Sequence, residues 1–124
     1  MDTEKIDRTL VFAVAGVGYA VEFPTVGKYM AIETAKMRLS RGMYGDMAAS
    51  YMKSSAIALD HIDAISFFSV MTPELIDDLK VKIEDLDIMD AKPLVDTYRN
   101  VIRPWVDSWM KILSSPDKAD ETGK

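Results

Sequence analysis

The hydrophobic pattern changes period at Pro24. Before it, Thr9-Leu10-Val11-Phe12-Ala13-Val14 is a short apolar run rich in strand formers, Ala15-Gly16-Val17-Gly18 reads as a turn, and Tyr19, Val21 and Phe23 alternate with Ala20 and Glu22. This predicts a β-hairpin over about 8–23. Two strands alone are marginal in water, so the hairpin must rest on helices or pair its edge with another chain. After Pro24 the spacing is helical. Thr25 can cap a helix over 25–40 that stops at Arg41-Gly42. At about 100° per residue its apolar side chains fall on two faces, Val26, Tyr29, Met30 and Met37 on one and Ile32, Ala35 and Leu39 on the other. Such a helix is sandwiched: the hairpin and a helical body cover one side each, or one side is left for a partner chain.

Three more helices are predicted. Asp46 can cap a helix over 46–71, about 39 Å long at the usual rise per residue. Apolar residues lie nearly all round it, which makes it the central helix, with small residues between Ala48 and Ala58 allowing close neighbours and a polar strip of Lys53, Asp60 and Asp63 facing water. Thr72-Pro73-Glu74 is a strong start signal for an amphipathic helix over 73–86, with the Thr72 hydroxyl as cap. Residues 80–83 could break it in two. Asp90 can cap a last helix over 91–113, whose stripe contains Leu94, Tyr98, Trp105, Trp109 and Ile112, and Pro104 inside it should cause a kink or a restart. The polar stretch 114–124 is expected to be a disordered tail. The fold class is therefore mainly α (α+β): a single domain over 1–113, with an N-terminal hairpin on a bundle of about four helices.

Composition narrows the function. The 124 residues contain no cysteine, which removes disulfides and thiolate metal sites and favours a cytoplasmic, soluble protein. No run is long and apolar enough for a signal sequence or a membrane span. Net charge is −5, and residues 46–124 hold nine Lys and Arg against fifteen Asp and Glu, the wrong balance for neutralising phosphates. No nucleic-acid partner is expected. The basic cluster Lys28, Lys36, Arg38 and Arg41 and the acidic stretch Asp77, Asp78, Glu84, Asp85, Asp87 and Asp90 both read as solvated faces, the second lacking the spacing and central glycine of a calcium loop. The Gly16-Val17-Gly18 turn lacks the third glycine and βαβ context of a dinucleotide site.

Catalysis finds no support. His61 is the only histidine and lies about 100° from Asp60 and 200° from Asp63 on a helical wheel, so one metal ion is not readily held by all three; a packed or hydrogen-bonded role is expected. No serine or threonine sits in a nucleophile context. We therefore expect no enzyme, no cofactor and no metal. Glu33 projects into the stripe of Val26, Met30 and Met37 and should pair with Lys36 or Arg41, because an isolated charge there is costly. Nine methionines are many for this length; Met30, Met37, Met43, Met47 and Met52 gather around the first helix junction, either as an adaptable binding patch or as filler of an irregular core. Trp105 and Trp109 beside Tyr98 are core residues or binding anchors. The candidate partner-binding residues are Tyr29, Met30, Met37, Met43, Trp105 and Trp109.

The segment from Phe23 to Tyr44, with its Pro24-Thr25-Val26-Gly27 helix start, Ile32-Glu33 followed by Lys36, and Gly42-Met43-Tyr44 stop, resembles tail-assembly chaperones of tailed bacteriophages, as do the later Tyr98, Pro104-Trp105 and Trp109. The resemblance implies a helical, non-enzymatic protein that coats a tape-measure protein and recruits tail-tube subunits during assembly, in the bacterial host cytoplasm if it is phage-encoded; a homo-oligomer is expected from the exposed hairpin edge and first helix. Two other functions stand beside it: a permanent virion or connector subunit using the same surfaces, and a small regulator binding a host protein through the acidic face.

Overall fold

The computed structural model describes residues 6–115. Strands β1 (Thr9–Val14) and β2 (Val17–Glu22) pair antiparallel, with Leu10 opposite Val21 and Phe12 opposite Tyr19. The turn is tighter than the sequence suggests. Val14 pairs with Val17, so only Ala15 and Gly16 connect the strands, both at positive φ (52° and 84°), the mirror-image turn whose twist suits a hairpin. The alternation holds: Phe12 and Val21 are buried, whereas Val11, Ala20 and Glu22 face outward.

Helix α1 (Val26–Ser40) starts where expected, its Thr25 Oγ1 accepting the Lys28 amide at 3.1 Å. It ends with Arg41 in the left-handed region and the Gly42 amide donating to the Met37 carbonyl. The long helix expected over 46–71 is two: α2 (Tyr44–Ala49) and α3 (Lys53–Met71). Asp46 lies inside α2 and does not cap it. The break falls at Ser50, whose backbone is extended and whose hydroxyl accepts the Met52 amide at 3.1 Å, a local bond that competes with the helix. Ala48 and Ala49 are exposed and α2 has no buried residue, so little burial offsets that competition. Only the C-terminal half of α3 is central: Phe67 and Phe68 lie in the core against Phe12 and Tyr98, and α3 packs on α1, α2, α4, α5 and the turn after α5.

Helix α4 (Pro73–Leu79) is short. Lys80 at φ 62° ends it, and a 3-10 turn, Ile83–Asp85, follows, so the break at 80–83 is what occurs. Thr72 sits at the N-cap position but its buried hydroxyl donates back to the Phe68 carbonyl at 3.0 Å, closing α3 instead of capping α4. The final helical rod comprises α5 (Lys92–Thr97), a π-helical turn (Tyr98–Ile102) and α6 (Arg103–Ser114). The disturbance at Pro104 takes the form of the widened turn, in which the Arg103 amide reaches the Tyr98 carbonyl, making room where the proline ring would strike the preceding turn. Asp90 does not cap this rod; Ala91 holds the N-cap position without a side-chain bond. Of the tail expected over 114–124, Ser114 is still helical, and the residues after Ser115 lie outside the described ones.

Candidate protein-binding surface

Helix α1 has one buried hydrophobic residue, Ile32, which faces the core. The opposite stripe is open: Val26 is 82% exposed, Met30 59% and Met37 49%. These three fall within an arc of about 40°. Glu33 borders that arc, about 20° from Val26, and Lys36 neutralises it at 3.1 Å, the pairing expected from the sequence. Met43 and Met52, flanking α2, are exposed, as is Tyr51 in the break. Tyr29 is half-buried, edge-on to Trp109 at a ring separation of 6.3 Å. Of the sequence-derived candidates, Met30, Met37 and Met43 thus stand at the surface with Tyr29 at its margin.

The two tryptophans stand apart. Trp105 and Trp109 are each 8% exposed and belong to the core. Trp105 stacks on Phe23 at 5.5 Å and donates its indole N–H to the Asp7 carbonyl at 2.9 Å, tying the start of β1 to α6. Trp109 has an indole N–H without an acceptor. Its ring is the floor of a half-open cleft of about 560 Å³ between the end of β2, the start of α1 and the end of α6.

A polar cluster the sequence did not reveal fixes the surface from beneath. Asp63, assigned to the water-facing strip, is buried; Asp60 is half-buried and Lys53 alone is exposed. The Asp63 carboxylate accepts the Tyr44 hydroxyl at 2.5 Å and the Arg103 guanidinium at 3.0 Å, with Lys36 at 3.9 Å. Arg103 also donates to Asp60 at 2.9 Å, and Arg99 pairs with Asp60 at 3.4 Å. A signal was present. Asp60 and Asp63 are three apart on one helix, Arg99 and Arg103 four apart on another, complementary pairs at helical spacing. Tyr44 begins α2, so its bond to Asp63 holds the methionine-bearing junction against α3.

The cluster shapes protonation. Burial opposes the charge on Arg103, but its hydrogen bond to Asp60 and the charges of Asp60 and Asp63 hold it above its ordinary value. Burial, then the Asp63 bond, pushes the Tyr44 hydroxyl well up; burial and the Asp63 charge do so for Tyr98, against the opposing pull of Arg103. Tyr19 is raised to about 12 by the bond it donates to Asp78 and then by burial. Groups raised on folding contribute stability below the unfolded tyrosine value near 10 and lose it as pH climbs through the folded value. The urea midpoint should therefore fall between about pH 9 and about pH 11.5, and fall less in a Tyr19→Phe/Tyr44→Phe variant. Equal alkaline losses in the two proteins would contradict this.

His61 Nδ1 donates to the Ile57 carbonyl at 2.8 Å, an ordinary structural role. Among the described residues no group of three or more His, Asp or Glu could hold a metal ion, and no helix is long and apolar enough to cross a membrane. No family model, no curated protein and no solved structure matches the chain.

Proposed function

We propose that this protein is a non-enzymatic assembly chaperone of the tailed-phage type that its 23–44 segment resembles, shielding apolar segments of a tape-measure or tail-tube protein in the bacterial cytoplasm before they are built into a tail. The observation that carries the proposal is the open Val26, Met30 and Met37 stripe on α1, continued by Met43, Tyr51 and Met52. Unbranched thioethers adapt to varied apolar partners. The surface also suits self-association, with copies covering one another's stripe until a client replaces them. Burying a few hundred Å² at about 25 cal/mol per Å² gives several kcal/mol of gross gain, much of it offset by ordering and association costs. Binding is then reversible, as an escort requires.

Affinity capture from cells assembling particles should recover tape-measure or tail-tube protein, while mass spectrometry of purified particles should find none of this chain. Stoichiometric presence in particles would make it a structural subunit. Capture of a host enzyme without tail proteins would make it a regulator.

A further inference from the structure

The cleft at the β2–α1–α6 end has a polar complement of one sign. Its walls are mainly apolar, with Ile6, Phe23, Val26, Tyr29, Trp109 and Leu113 prominent. Among the described residues no Asp or Glu lines it, although the chain carries a net charge of −5. Among the described residues the one charged group lining it is Arg8, exposed, its guanidinium 5.0 Å from the centre of the Phe23 ring and in no ion pair with them. Thr25 and Val26 bring the positive end of α1 to the wall, and the first turn of α1 holds no acid to offset it. The negative end of α6, by contrast, has Lys111 in its last turn. Trp109, more than nine-tenths buried, contributes its ring to the apolar wall.

We propose that this cleft docks a partner segment in which an apolar anchor is flanked by a carboxylate: the anchor enters between Phe23, Val26, Tyr29 and Trp109, and the acid meets Arg8 and the start of α1. The proposal adds a charge preference to the escort function and rests on that function only in taking the occupant to be protein. Val26 belongs to both the cleft and the open stripe, so one bound segment can run from the cleft along α1.

Two peptides with the same leucine and phenylalanine anchors, one flanked by Asp and Glu and the other by Lys, test it. Trp105 and Trp109 are the only tryptophans, and both lie at or beside the cleft, so their fluorescence reports binding of tryptophan-free peptides. The acid-flanked peptide should bind about tenfold tighter at low salt, with the advantage shrinking as salt is added. Arg8→Gln should reduce that preference and Arg8→Glu should remove or reverse it, both with an unchanged unfolding midpoint. Equal binding, a preference for the lysine-flanked peptide, or no binding of either overturns the proposal, as does decanoate binding where neither peptide does. Failure of the escort function itself is read separately, from loss or survival of client capture in a variant of Met30 and Met37, which do not line the cleft.

Discussion

Asp63→Ala is expected to lower the unfolding free energy by about 3 kcal/mol, and the melting temperature by roughly 12 °C for a domain of this size. The Asp63 side chain is only 12% exposed and serves three elements at once: Tyr44 at the head of α2, Lys36 on α1 and Arg103 on α6. Deleting it leaves the part-buried Tyr44 hydroxyl without its acceptor and takes from the half-buried Arg103 one of its two carboxylate partners, leaving only Asp60. Asp60→Ala should cost less, because Asp60 is 24% exposed and Asp63 would still hold Arg103. The cause can be isolated. Replacing Asp63, Tyr44 and Arg103 together by Leu, Phe and Met should recover much of the loss, since apolar residues of similar volume often substitute for a buried ion pair at little cost. A loss below about 1 kcal/mol for Asp63→Ala in urea unfolding would mean that the cluster behaves as an exposed one.

The same contact links stability to the proposed binding surface. α2 has no buried residue of its own, and its first residue reaches the body of the protein through the Tyr44–Asp63 bond and the Lys36 ammonium, 5.4 Å from the centre of the Tyr44 ring. Met43 precedes Tyr44 directly, so the position of this exposed methionine depends on a carboxylate on the next helix, α3.

Features that depend on neighbouring residues were legible from the chain. The two faces of the hairpin follow from alternation, the Thr25 cap from a hydroxyl before a helical run, and the open stripe of α1 from apolar residues on two sides with only one hairpin to cover them. Features settled by competition between local and distant bonds were not. Ser50 could have continued a helix had the residues around it found a core to enter, and its hydroxyl decided otherwise. The Thr72 and Asp90 positions carry good capping side chains, yet the Thr72 hydroxyl turns back to Phe68, and the Asp90 amide is taken by the Asp87 carboxylate at 2.8 Å. Pro104 marked where the last helix is disturbed, but that the disturbance would be a π-helical turn depends on Tyr98 and Ile102 remaining buried on either side of it. Asp63 was misplaced because a wheel shows the polar side of one helix and not the arginine on another that lies against it.

The most direct test of the open α1 stripe as a partner-binding surface is client capture and oligomeric state in a Met30→Glu/Met37→Glu variant. Each methionine, buried against a partner, should contribute on the order of 1.5 kcal/mol or more, and a carboxylate in its place adds a desolvation cost, so together they should weaken association more than about a hundredfold. Because both side chains are exposed in the monomer, helix content by circular dichroism and the unfolding midpoint should stay close to those of the parent protein. The expected result is a folded monomer, by light scattering, that no longer captures tail proteins. A folded variant that still forms the parent oligomer and captures client at parent affinity would contradict the assignment, and an unfolded one would place those methionines in the core.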